Sequence, residues 1–487
     1  DLQSFQDFVK GGMYWKAAEA LFNPDPSNAD AVGVSRLLFA RACKTTAASL
    51  EFAPEGAGSI TFATIDEGYC ANGKVAQIED SEGEEVDHLK YGYAITVEAG
   101  EDDPTAFVLK FWRGTYSGDY TDPVTGDVLS FNELSVEQSD PLLIAQSDEF
   151  KTMKELVAWC QKDSNFGARF LIKEKSFTGE GSITSVEEYL NQYTVFAGAT
   201  EDYGTGTQYL DELLAQITDV DFNIMFSDQY RDNGNSAKVK AMISHRNHDA
   251  KFDKFVYTAA YESKADYDKS LAMARALNNA YVVCVEGGVA TASDSVASGL
   301  RWWPSFYMMC QVIGRVSGKP PYVPVTNKTI GGDKLQHILT EPEKEKALKA
   351  GLLVVYPNPY LQRFVILQGV TTLQDNSIMF NKKGESFSIQ FMRIIAQLNK
   401  ECVVNAEIDL LGDENGVNIN TLSKGALETW TINFLQSRVA TDSQDNLITS
   451  FQDVVAKRVN DYYDVTYKVC LNNEVTKIFF TGFILRG

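Results

Sequence analysis

Apolar residues recur at two periods along this chain, and the places where the period changes divide it. Phe5, Phe8, Val9, Tyr14, Trp15, Ala18 and Leu21 fall near helical spacing, interrupted at Gly11-Gly12 and stopped by Pro24 and Pro26. Short extended runs follow at residues 36–42, 48–52 and 59–65, separated by Pro54, Gly56 and Gly58, which is hairpin punctuation. The acidic stretch 79–87 reads as a solvated loop, and residues 93–97 and 106–112 read as a second hairpin. Residues 114–140, rich in Gly, Asp, Ser and Thr, read as an exposed loop or a weakly structured insertion.

From Phe150 onward helical and extended patterns alternate. Residues 153–160, 186–191, 209–217, 238–245 and 267–277 have helical spacing, while 168–172, 221–226, 255–259 and 281–285 are short β-prone runs. That alternation predicts a layered α/β sheet with helical crossovers. Residues 295–316 are apolar, but Arg301, Pro304 and Gln311 interrupt them, so a buried helix is expected over 301–316, with Trp302, Phe306 and Met309 on one stripe. Residues 342–350 predict a charged helix, 352–356 and 363–369 strands, 386–403 a long amphipathic helix, and 422–435 another helix. The chain closes with two β-rich runs, 465–471 and 475–485, separated by Asn472-Asn473.

Composition narrows the class. The chain has 487 residues, enough for several domains, and 44% of them are hydrophobic, so it can bury cores. Acidic residues outnumber basic ones by 66 to 44, and the resulting −22 argues against a nucleic-acid coat or a polybasic membrane binder. No run approaches the roughly 18 apolar residues of a membrane span. The first residue is Asp1, and the opening lacks a signal-peptide pattern, so residues upstream are expected to have been removed or not represented. Seven cysteines are scattered without a CxxC, which points to a reducing cytosol rather than a disulfide framework or zinc site.

Chemical motifs are sparse. Residues 314–319 read GRVSGK, one residue short of a phosphate-binding loop, and Pro320 stands where a Ser or Thr would hold magnesium; a helix ending at Gly318 before a proline stop explains the same letters. His245 and His248, three apart beside Asp249, could present two imidazoles to a metal, but no third ligand is indicated. Glu286-Gly287-Gly288 follows a strand, where α/β sheets hold ligands, although a plain Gly-Gly turn has the same signature. Asn327-Lys328-Thr329 is a formal glycosylation sequon without a secretory context. No catalytic residue, metal ligand or cofactor is therefore assigned.

The end of the chain is different. Val475, Lys477, Phe479, Phe483 and Leu485 alternate with Ile478, Phe480 and Ile484, so a strand here is apolar on both pleat faces and needs cover on both. It is either a central strand of its own sheet or a strand given to the sheet edge of a neighbouring subunit, with Asn472 and Asn473 as a polar hinge.

Taken in order, several segments resemble the sheath protein of contractile phage tails and related injection machines. They are SFQDFV (4–9) and AAEALF (17–22), SRLLFARA (35–42), ATIDEGYCANG (63–73), PVTNKTIGG (324–332), EKALKAGLLVV (345–355), LQGVTTLQDN (367–376), the helix ending in ECVV (401–404), and the C-terminal β segment. Residues 91–226 match only loosely. The resemblance implies an α/β (α+β) fold: a layered core over 227–463, a β-rich start over 1–75, an outer insertion over 76–226, and a β arm over 464–487. It also implies no enzyme activity and no cofactor. The implied assembly is stacked hexameric rings of the chain around a tail tube protein, with baseplate and tail terminator proteins at the ends, in a virion tail assembled in the host cytoplasm. It neither binds nucleic acid directly nor inserts in a membrane. Contact with the tube is expected through the polar faces of 386–403 and 451–459, at Arg393, Lys400, Lys457 and Arg458. Two other readings remain: an α/β, hydrolase-like enzyme with an atypical site, favoured by a deep pocket gathering Glu286, His245 and His248, and a baseplate or tail-terminator relative that stops at one ring.

Overall fold

A computed structural model describes residues 12–79, 85–114, 120–121, 128–129, 141–202, 207–227, 237–248, 253–292, 299–373, 388–411, 422–441, 446–460 and 462–471. At its centre four parallel strands pair in the order Ile224–Phe226, Phe255–Ala259, Val282–Val285 and Leu352–Leu353. Every residue of Phe255–Ala259 and Val282–Val285 is buried, as expected of parallel strands covered by helices on both faces. The connections are Ala237–His248, Tyr267–Leu277 and Glu341–Ala350, so the alternation read from the sequence does correspond to crossover helices. Asn278 and Gly351 end the latter two in the left-handed conformation that releases a chain from a helix.

The helix Ser305–Ser317 runs through the main core, with Phe306, Met309, Val312, Ile313 and Val316 all buried. It is shorter than the expected 301–316. Leu300–Trp303 is instead a strand paired antiparallel to Val289–Ala292, because Pro304 disfavours helical geometry in the residue before it. Trp302 therefore does not share the helical stripe of Phe306 and Met309. The GRVSGK segment is the end of this helix, and its glycines serve packing. A Cβ on Gly314 would sit 2.4 Å from the Leu21 carbonyl oxygen in the helix Gly12–Phe22, and one on Gly318 would sit 1.8 Å from the Val32 carbonyl oxygen. Overpacking of this kind costs about 1–3 kcal/mol. Gly314→Ala is accordingly expected to lower stability by that amount in denaturant titration; an unchanged midpoint would show that the two helices are free to separate.

The β-rich part surrounds an aromatic cluster. The sheet ordered Leu142–Gln146, Phe107–Arg113, Tyr93–Ala99, Thr194–Val195 and the sheet ordered Phe170–Ser176, Ser59–Glu67, Ala47–Phe52 enclose Phe62, Phe111, Phe166, Phe170 and Phe196. The helix Met153–Cys160 covers this cluster and starts at a capping box between Thr152 and Glu155. Two expectations change here. The stretch 79–87 is not simply a loop, since Lys74–Glu79 and Glu85–Tyr91 pair as a hairpin. Residues 36–42 belong to no strand, and Leu38 and Phe39 are exposed: the segment has β-prone residues, but among the described residues no strand pairs with it. The 114–140 stretch lies almost wholly outside the described residues, except for short pairings at Tyr120–Thr121 and Val128–Leu129.

Two helices, Ile389–Leu411 and Lys424–Gln436, and a hairpin of Ile448–Val459 with Tyr462–Leu471 form the C-terminal part. Their shared core is Ile394, Leu398, Phe434, Leu435, Leu447 and Ile448. The long helix outruns the expected 386–403 because Ala406, Glu407 and Leu410 are good helix formers.

Candidate assembly surfaces

Most residues of the C-terminal hairpin are exposed or half-buried. Its strands of 12 and 10 residues pair from Ile448↔Leu471 to Val459↔Tyr462, with a bulge between Gln452 and Val455 that puts Asp453 at φ 55°. Among the described residues no third strand runs along it, and its outer side is met only at one end, where Val439 bridges Ile448: the Ala440 amide donates to the Ile448 carbonyl at 2.7 Å and the Ile448 amide to the Arg438 carbonyl at 3.1 Å. An isolated two-stranded hairpin is marginally stable in water. Side-chain ties therefore hold it to the helices: Glu428 accepts from the Ala456 amide at 2.9 Å, and the Tyr463 hydroxyl donates to the Leu422 carbonyl at 2.8 Å. The Tyr467 hydroxyl lies 2.9 Å from Asn399 Oδ1, and burial pushes its phenol up to about 12. Val403, Ile408, Ile432, Val455 and Tyr462 leave apolar surface on the same three elements. Tyr462–Leu471 crosses the boundary drawn at 463/464 and leads directly into the stretch with Asn472, Asn473 and the 475–485 run, which lies outside the described residues.

The four cations expected on the tube side do not gather at one place. Arg393 donates to the Lys319 carbonyl at 2.6 Å and to that of Pro320 at 3.5 Å, and desolvation draws its guanidinium below its ordinary value. Lys400 holds Asp221 at 2.6 and 2.8 Å. Both line a groove of about 880 Å³ that runs beside the edge strand Ile224–Phe226 and the exposed residues Leu38 and Phe39. Lys457 and Arg458, by contrast, are exposed on the hairpin, opposite Asp464 and Tyr463.

Glu286, His245 and His248 are not brought together among the described residues. Glu286 pairs with His337, 51 residues away, and not with His245, which is buried on Ala237–His248; the His248 side chain lies outside the described residues. Among the described residues no group of three His, Cys, Asp or Glu could hold a metal ion, and no helix is long and apolar enough to cross a membrane. His337 was missed because no local signal marks it; only the return of residues 334–337 beside the Glu286 turn brings it there.

The architecture is thus a layered α/β core carrying a β-rich part and a two-stranded C-terminal hairpin. No family model and no curated protein matches the sequence. Solved structures do match. A sheath tail protein from Desulfitobacterium hafniense superposes with a TM-score of 0.54 at 14% identity, over 94% of this chain and 88% of that one. A sheath tail protein from Listeria innocua gives 0.52 at 12% identity, over 88% and 82%. The chain has the sheath tail protein fold.

Proposed function

We propose that this chain is the structural subunit of a contractile tail sheath. In this reading copies of it polymerise as stacked hexameric rings around a tail tube, and a rearrangement to a shorter, wider state drives the tube through the target envelope. Likeness to a sheath tail protein along 94% of the chain carries the reading. Further support comes from the two-stranded C-terminal hairpin, along which no third strand runs among the described residues, an arrangement that suits subunits joined by donated strands. The solved structures it resembles are of sheath tail proteins, and Glu286 pairs with His337, so no catalytic role or cofactor is assigned. Its partners would be further copies of itself, the tail tube, and the baseplate and terminator proteins at the ends of a virion tail. Electron microscopy of the purified chain tests this against the single ring of a baseplate or terminator relative.

The tube must be held before firing and passed afterwards. Exposed charges suit that task, because each contributes little net energy and re-forms readily. Lys457 and Arg458 are the nominated cations that face solvent, whereas Arg393 and Lys400 also tie the long helix to the core. Reversing Lys457 and Arg458 to Glu is expected to weaken sheath-on-tube assembly most at low salt while leaving thermal stability within the surface range of about 0.5 kcal/mol. Co-assembly with tube measured across a salt series checks this, and unchanged assembly would remove both residues from the tube face.

A further inference from the structure

The turn that leaves the parallel sheet at Glu286 encloses a charged pair that the assembly reading does not use. Glu286 Oε1 lies 2.8 Å from His337 Nδ1, with the two side chains 2% and 1% exposed. His337 Nε2 is also buried and has no hydrogen-bond partner among the described residues. Tyr267 closes over the imidazole edge-on at 5.3 Å, and its hydroxyl donates to the Glu343 carbonyl. The other ionisable groups facing the pair are Cys284 on the strand before it, Glu262 on the turn after Phe255–Ala259, and Glu343 on Glu341–Ala350, with Lys264 beyond Glu343. Burial pushes the Glu286 carboxyl up, the hydrogen bond with His337 opposes that, and the charges of Glu262 and Glu343 add to the rise.

A neutral imidazole beside an ionised Glu286 would bury one net negative charge. One further proton, on either partner, makes the pair neutral overall. Burying an unpaired charge is costly, so the folded chain favours the protonated pair as a unit. We propose that Glu286 and His337 form a buried proton-binding site, which holds one proton through neutral pH and, on losing it, loosens the junction between the parallel sheet and Val289–Ala292. That strand follows Gly288 directly and also pairs with Lys334–Leu335, two residues before His337, so the pair pins both sides of one junction.

The direction with pH follows from proton counts. An unfolded chain gives up the imidazole proton near pH 6.5, at the ordinary value. If the buried pair stays neutral overall, as proposed, it keeps one proton where the unfolded chain has lost its own, so from about pH 6.5 upward the folded chain binds more protons than the unfolded one and stability falls as pH rises. Cys284, whose thiol burial pushes up, acts in the same direction, but only above the ordinary thiol range near 8.5. His88, His245 and His248 also fall in the window from pH 6 to 8, so the difference in slope between the unaltered chain and a variant of the pair, and not the slope alone, reads the site.

Thermal unfolding of the full chain and of Glu286→Gln at pH 6, 7 and 8 tests the site. The unaltered chain is expected to lose about 2–4 °C of Tm between pH 6 and 8, on the usual scaling of Tm with stability, and Glu286→Gln, which leaves no bare charge, is expected to lose that slope. Equal slopes in the two proteins would overturn the proposal. If Glu286→Gln does not fold, calorimetry of the unaltered chain at pH 7.5 in two buffers of different ionisation enthalpy decides: net release of about one proton on unfolding supports the site, and zero release or net uptake overturns it.

Discussion

Removal of residues 475–487 is expected to leave a folded, monodisperse subunit that no longer polymerises. The run from Val475 to Leu485 has apolar residues on both pleat faces, and no third strand runs along the hairpin just before it among the described residues, so most of its length is available to a neighbour's strand in the proposed assembly. A donated strand of this length makes about five to ten backbone hydrogen bonds, each worth ~0.5–1.5 kcal/mol net. Full burial of Ile478, Phe479, Phe480, Phe483 and Ile484 adds ~1.5–3 kcal/mol for each side chain. In the proposed sheath a link of that size would outlast sliding of the rigid bodies it joins and persist while weaker interfaces exchange, and Asn472 and Asn473 are expected to take up the rotation. Light scattering and circular dichroism of the truncated chain check both halves of the expectation. Truncation that still builds polymers, or that unfolds the subunit, would assign the strand to its own core.

Truncating Phe306 to Ala is expected to cost ~3–5 kcal/mol, the range for emptying a buried phenylalanine site. Phe306 is 2% exposed, is the second residue of Ser305–Ser317, and has its ring 6.1 Å from that of Phe226 on the edge strand of the parallel sheet. Its loss opens a cavity where helix and sheet meet, and neither can collapse into it without breaking strand pairing. Denaturant titration reads the effect directly. A loss below ~1 kcal/mol, the scale of surface changes, would mean that the helix packs loosely against the sheet.

Where local spacing decides structure, the reading of the sequence and the fold coincide. Met153–Cys160, Phe255–Ala259 and Tyr267–Leu277 have the expected bounds, because apolar period, caps and breaks all act within a few residues. Departures arise where a distant partner or one stiff residue decides. Pro304 converts the front of an expected helix into Leu300–Trp303, a strand that exists only because Val289–Ala292 lies beside it. Residues 36–42 have strand composition, but composition cannot supply a neighbour. Of the candidate site residues, exposure at Lys457 and Arg458 was legible from the polar pattern, while the intrachain ties of Arg393 to Lys319 and of Lys400 to Asp221 join segments 74 and 179 residues apart. The Glu286–His337 pair escaped for the same reason: its members meet only once the sheet has formed.

Negative-stain electron microscopy of the purified full-length chain tests the central claim most directly. As a sheath subunit the chain is expected to form hollow cylinders of stacked six-membered rings, which truncation at Val475 is expected to abolish. A chain that stays monomeric at concentrations where the cylinders should form, or that stops at a single ring, would contradict the account.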